Sequence, residues 1–174
     1  MSTTPIPDLW PESVKVDVRP PYAVLSVQAR NLTERTQGVV EARVRSSKTK
    51  TDPILVRHSF ELTASFLNYR HRLFSAWHQE SLVYPVIIST WLREQEPTQS
   101  ELVQFFQKAV AIGGVAVAND ETALMETLRN LFTSERVTTL LNSLLASSYG
   151  QRNRGMTPDV YEDADNGMDG VEKT

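Results

Sequence analysis

The chain has 174 residues, 40% hydrophobic and 22% charged, with a formal net charge of −3 and no cysteine. That length suits one domain with a sizeable core, and the missing thiols exclude a disulfide framework, a thiolate zinc site and a cysteine nucleophile. Apolar runs such as Val110–Ala118 fall short of the ~20 residues that span a bilayer. The N-terminus lacks the basic start and apolar core of a secretory signal, so a cytoplasmic protein with no membrane partner is expected. Charge is uneven along the chain: Met1–Arg93 holds 12 Lys/Arg against 8 Asp/Glu, and Glu94–Thr174 holds 6 against 13. Such asymmetry points to an oriented electrostatic surface or a charged tail.

Residues 1–21 are proline-rich without periodicity and read as an extended lead-in, followed by one domain over 22–149. From Tyr22 the apolar residues Leu25, Ala29 and Leu32 recur at helical spacing. The preceding Pro20–Pro21 suits a helix start and Gly38 a stop. Alternation then takes over. Val40, Ala42 and Val44 oppose Glu41, Arg43 and Arg45, and Val56, His58, Phe60 and Leu62 oppose Arg57, Ser59, Glu61 and Thr63. In the next segment Tyr69, His71, Leu73, Ser75 and Trp77 are expected to point inward, with Arg70, Arg72, Phe74 and Ala76 outward. Leu82–Thr90 is rich in β-branched residues and reads as a fourth strand. Pro85 within it argues for a sheet edge or a bulge.

The second half is helical by pattern. Thr98 and Glu101 have capping-box spacing ahead of a stripe of Leu102, Phe105, Phe106, Ala109 and Ile112. Gly113–Gly114 breaks that run. Asn119 is placed to cap a helix bearing Leu124, Leu128 and Leu131, and Ser134 sits where a last one opens, bearing Val137, Leu140 and Leu144. From Gly150 onward apolar residues thin out, so 150–174 is expected to be a disordered acidic tail. The fold expected is α+β: an N-terminal helix, a four-stranded antiparallel meander with one face covered by helices and the other open, and two to three C-terminal helices.

No motif commits to a chemistry. There is no G-x-S-x-G, P-loop or G-x-G-x-x-G, and nothing calls for a cofactor. The acidic Asp163–Asp169 resembles a calcium loop only until Met168, which stands where that loop needs glycine. His58 and His71 share an inward phase on consecutive strands, which could set them side by side. With His78 they are the weak candidates for metal ligands or acid–base work.

The arginines are the stronger signal. Arg43, Arg45, Arg57, Arg70 and Arg72 all take the polar phase of consecutive strands, with Lys48 and Lys50 in the adjoining loop and Phe74 in phase to stack a base. The function expected is a non-catalytic binding or adaptor protein, using this basic sheet face or a sheet edge. Its partner is a protein or a second copy of the chain. A nucleic-acid-binding module on the same arginines is the alternative, and a histidine-based or metal-dependent enzyme is third.

Overall fold

The computed structural model describes residues 18–50, 54–90, 98, 100–102, 104 and 115–153. Helix α1 (Pro21–Arg35) begins where the sequence places it. Pro20 is extended at the cap, and Pro21, with no N–H to leave unpaired, opens the first turn. Its inner face carries Val24, Leu25 and Ala29. The helix ends in a left-handed turn at Gln37 and Gly38, where Gly38 at φ 75° returns its N–H to the Thr33 carbonyl at 2.9 Å.

A five-stranded antiparallel meander follows, in the order β1 (Glu41–Lys48), β2 (Leu55–Ala64), β3 (Tyr69–Gln79), β4 (Val86–Thr90) and β5 (Val115–Ala118). A 3₁₀ turn (Ser65–Leu67) and Asn68 at φ 46° join β2 to β3. Two helices close the described chain, α2 (Glu121–Phe132) and α3 (Glu135–Arg152). The α+β class and the meander are as the sequence implies, but the strands number five rather than four.

Each difference from the sequence reading has a local cause. The added strand, Val115–Ala118, is four residues long, too short for periodicity to distinguish it from the apolar run it ends. It takes the sheet edge, so β4 is an interior strand, and Pro85 lies just ahead of it rather than within it. Asp120, not Asn119, caps α2, its Oδ1 accepting from the Ala123 N–H at 2.8 Å. Helix α3 opens at the Thr133–Glu135 stretch as expected, with Ser134 as its cap accepting from the Val137 N–H. The Thr98–Glu101 box closes in both directions, through Thr98 N–H to Glu101 Oε2 at 2.6 Å and Glu101 N–H to Thr98 Oγ1 at 3.3 Å. Helix α3 runs on to Arg152, past the point where a tail was expected to begin. The rest of that tail, and the lead-in before Val18, lie outside the described residues.

Residues opposite one another in an antiparallel ladder point to the same side of the sheet, so register fixes the faces. One face, the helix face, carries Ala42, Phe60, Leu62, Phe74, Ala76 and Ile88. It packs with Leu25 of α1, Leu124 and Leu128 of α2 and Val137 of α3 in the main core. Phe60 stacks on Phe74 with ring centroids 5.1 Å apart, and Phe132 closes against both. The opposite face also holds an apolar cluster, Leu55, Trp77 and Ile87, buried with Leu102 and flanked by Val115 and Val117. The second face is therefore covered over β3–β5 and not open throughout.

Candidate functional site

The β2–β3 hairpin pairs Thr63 with Arg70 and Glu61 with Arg72, after which the register shifts and Phe60 meets Phe74. Leu73 is the extra residue of this bulge, and beyond it every side chain of β3 changes face. Arg70 and Arg72 precede the bulge and keep their expected phase. In register, Arg43, Glu61 and Arg72 form one row across β1–β3, with Arg45 across from Ser59 and Arg57 across from Ser47. All five arginines thus share one face.

Their charges are organised around Glu61, whose side chain is only 16% exposed. Its Oε2 accepts from Arg70 Nη2 at 2.8 Å and Nε at 3.1 Å, and Arg45 Nε lies 3.4 Å away. Arg43 pairs with Glu41 at 3.4 Å. Arg57 donates through Nε to Ser47 Oγ at 3.3 Å and sets its guanidinium 5.3 Å from the Trp77 ring centroid, within cation–π range. Five arginines against Glu41 and Glu61 leave this half of the sheet positive, although the whole chain is acidic.

Two of the expected patch residues, Phe74 and Lys48, take the opposite face. Phe74 is beyond the bulge, on the helix face, 1% exposed and stacked in the core, so it offers no platform for a base. Lys48 pairs in register with Val56 on the helix-face phase and binds Glu80. Lys50 is exposed in the loop after β1. Trp77, assigned to the main core by alternation, is instead buried on the arginine face under Arg57.

The bulge also rearranges the histidines. His58 faces Ala76, and His71 faces Leu62, four positions further along β2, so a His58–His71 pair does not form. His58 meets His78 instead, Nε2 to Nε2 at 3.1 Å. His78 Nδ1 lies 2.8 Å from the Gln79 carbonyl and 3.0 Å from that of Leu82, and therefore carries a proton. In the neutral pair His58 Nε2–H then donates to His78 Nε2. That leaves His58 Nδ1 to accept from the Ser46 hydroxyl at 2.8 Å. This relay satisfies all four ring nitrogens. Burial, and secondarily the neighbouring His78, lower the His58 pKa to about 4. His71 is lowered too, by burial and then by the Arg72 charge.

Among the described residues no group of three or more His, Asp or Glu side chains converges on a point that could hold a metal, and no helix is long and apolar enough to cross a membrane. Sequence reasoning missed the Ser46–His58–His78 relay. Its signal was the shared period-two phase of Ser46 and His58, but His78 joins them only through the bulge. Comparison with protein-family models, with curated proteins and with solved structures finds no match.

Proposed function

We propose that this chain is a non-catalytic cytoplasmic binding protein that takes an acidic segment of a partner protein on the arginine half of its sheet. The supporting observation is the register that lines up Arg43, Arg45, Arg57, Arg70 and Arg72 over β1–β3 with Glu61 at their centre. Guanidinium groups recognise carboxylates through paired N–H donors, and Glu61 already accepts two such bonds from Arg70. A partner carboxylate would enter the same chemistry.

The β1 edge extends the surface. The Ala42 N–H points away from β2, to Thr33 Oγ1 at 3.1 Å, so by strand alternation Val44, Ser46 and Lys48 also direct their backbone groups to the free edge. An extended acidic segment could pair there while its side chains reach Arg43 and Arg45. Nucleic acid is the less favoured occupant, because Phe74 is buried and Trp77 already lies beneath Arg57. A relay enzyme is less favoured again, since a base with a pKa of about 4 accepts protons poorly at neutral pH.

The test compares a glutamate-rich peptide with a single-stranded oligonucleotide of equal charge, by fluorescence anisotropy over a salt series. The peptide should bind the native chain, and Arg43→Ser with Arg72→Ser should weaken it at least tenfold without lowering the melting temperature. Tighter oligonucleotide binding with a steep salt slope would assign the face to nucleic acid instead. Concentration-dependent light scattering separates self-association from both.

A further inference from the structure

On the other side of the sheet, α1 bridges a chamber of about 210 Å³ between itself, the sheet and the α2–α3 junction. Its floor is apolar and includes Phe60 and Leu62, 1% and 0% exposed, with Phe132 as one wall. Gln28, Asn31 and Arg35 line it from α1. They stand three and four residues apart and so share one helix face. None of the three makes a side-chain hydrogen bond or ion pair among the described residues. Glu34, the carboxylate next to Arg35, is turned to Arg30 at 3.8 Å. Among the described residues no carboxylate lines the chamber.

We propose that this chamber is a binding site for a small amphipathic carboxylate, its apolar body on Phe60, Leu62 and Phe132 and its head group at Arg35, Asn31 and Gln28. Volume sets the size class. An apolar cavity of ~150 Å³ accepts benzene, and drug-sized ligands occupy pockets of roughly 300 Å³ or more. A chamber between these holds a body of about ten heavy atoms, such as a phenyl ring on a short chain or a medium aliphatic tail. The head group follows from the donors: a guanidinium and two amide groups along one helix face, with no competing anion, suit an oxygen acceptor of negative charge. The site lies on the opposite face from the arginine patch and is independent of it.

Isothermal titration of the full chain with 3-phenylpropionate tests this, with 3-phenylpropanol as the uncharged probe of the same body. The acid should bind saturably at one site, with a dissociation constant on the order of 100 μM for a ligand of this size. Arg35→Ala, at an exposed position, should weaken the acid about tenfold and leave the alcohol unchanged. Leu141→Trp, which fills the chamber from α3, should abolish binding of both. Absence of saturable binding by the native chain, or binding indifferent to Leu141→Trp, overturns the site. Equal loss of acid and alcohol in Arg35→Ala overturns the head-group assignment.

Discussion

The two faces of this sheet are built from the same strands yet solve burial differently. On the helix face, aromatic and aliphatic side chains interlock in one continuous cluster: Phe60, Leu62 and Phe74 from the strands, Leu25, Leu124 and Val137 from the helices. The other face is divided. Arginines occupy the β1–β2 side and the turn-proximal end of β3. The apolar Trp77, Ile87 and Val117 lie in one register row at the far end, and between them runs a row of serines, Ser59, Ser75 and Ser89, each under 10% exposed. The first face is specified by packing, which tolerates little change. The second is specified by charge and small polar groups, which tolerate more. Substitutions on the arginine face should therefore disturb the fold less than those on the helix face.

The sharpest way to break that contrast is to cut into the helix face. Phe60→Ala removes a ring in contact with both Phe74 and Phe132, and should cost about 3–5 kcal/mol. Urea denaturation gives the loss from the midpoint at constant slope. A loss comparable to that of the arginine substitutions below would erase the distinction between the faces.

The second test uses pH. The folded His58 has a pKa of about 4, below the ~6.5 of an unfolded histidine. Between these values the unfolded chain takes up a proton that the folded chain refuses, so acid favours unfolding. The contribution is complete above about pH 6.5 and is lost as pH falls toward 4, up to about 3 kcal/mol in all. His71, lowered in the same direction, adds to the trend. Stability followed from pH 7.5 to 4.5 should fall in native protein and fall less in His58→Gln. Parallel curves would mean the relay does not hold His58 neutral.

These features were unequally legible in the sequence, and the bulge at Leu73 divides what was legible from what was not. The alternation of β1 and β2 and the short turn before β3 suffice to align Arg70 and Arg72 with Arg43, Arg45 and Arg57, because both arginines lie between that turn and the bulge. Phe74, Trp77 and His78 lie beyond it. One extra residue, unmarked by glycine or any local breaker, turns Phe74 into the core, Trp77 under Arg57 and His78 onto His58. A bulge of this kind is set by how two strands fit together and not by either strand's composition. The chamber beneath α1 was illegible for a related reason. Gln28, Asn31 and Arg35 read as an ordinary polar helix edge until the sheet is placed under them.

The third test concerns Glu61. Arg45→Ser with Arg70→Ser removes both ion pairs of a carboxylate that is itself mostly covered. Exposed arginines are screened and each pair is worth little, so the expected loss is about 1 kcal/mol. It arises mainly from leaving the carboxylate without partners. Adding Glu61→Gln to the double substitution should recover most of it. No recovery would mean that Glu61 is held by other groups and is not the centre of the patch.

The smallest effect expected has the opposite sign. Ser75 Oγ and Trp77 Nε1 are buried on the arginine face with no hydrogen-bond partner among the described residues. Ser75 sits in the middle of the serine row, between Ser59 and Ser89, and is 2% exposed. A buried hydroxyl without a partner has lost its water and gained nothing in return. Ser75→Ala deletes that hydroxyl and leaves the Cβ in place, so it should raise stability by up to about 1 kcal/mol. The equivalent truncation on the helix face, Leu73→Ala, removes packed atoms and should lower stability by about 2–5 kcal/mol. These two neighbours straddle Phe74 on one strand, so a shared backbone disturbance would move both in the same direction. Opposite signs in thermal melts would show that the faces obey different rules within a few residues of each other. A destabilised Ser75→Ala would instead mean that its hydroxyl holds a partner such as a bound water, and that the serine row is a hydrogen-bonded element of the face.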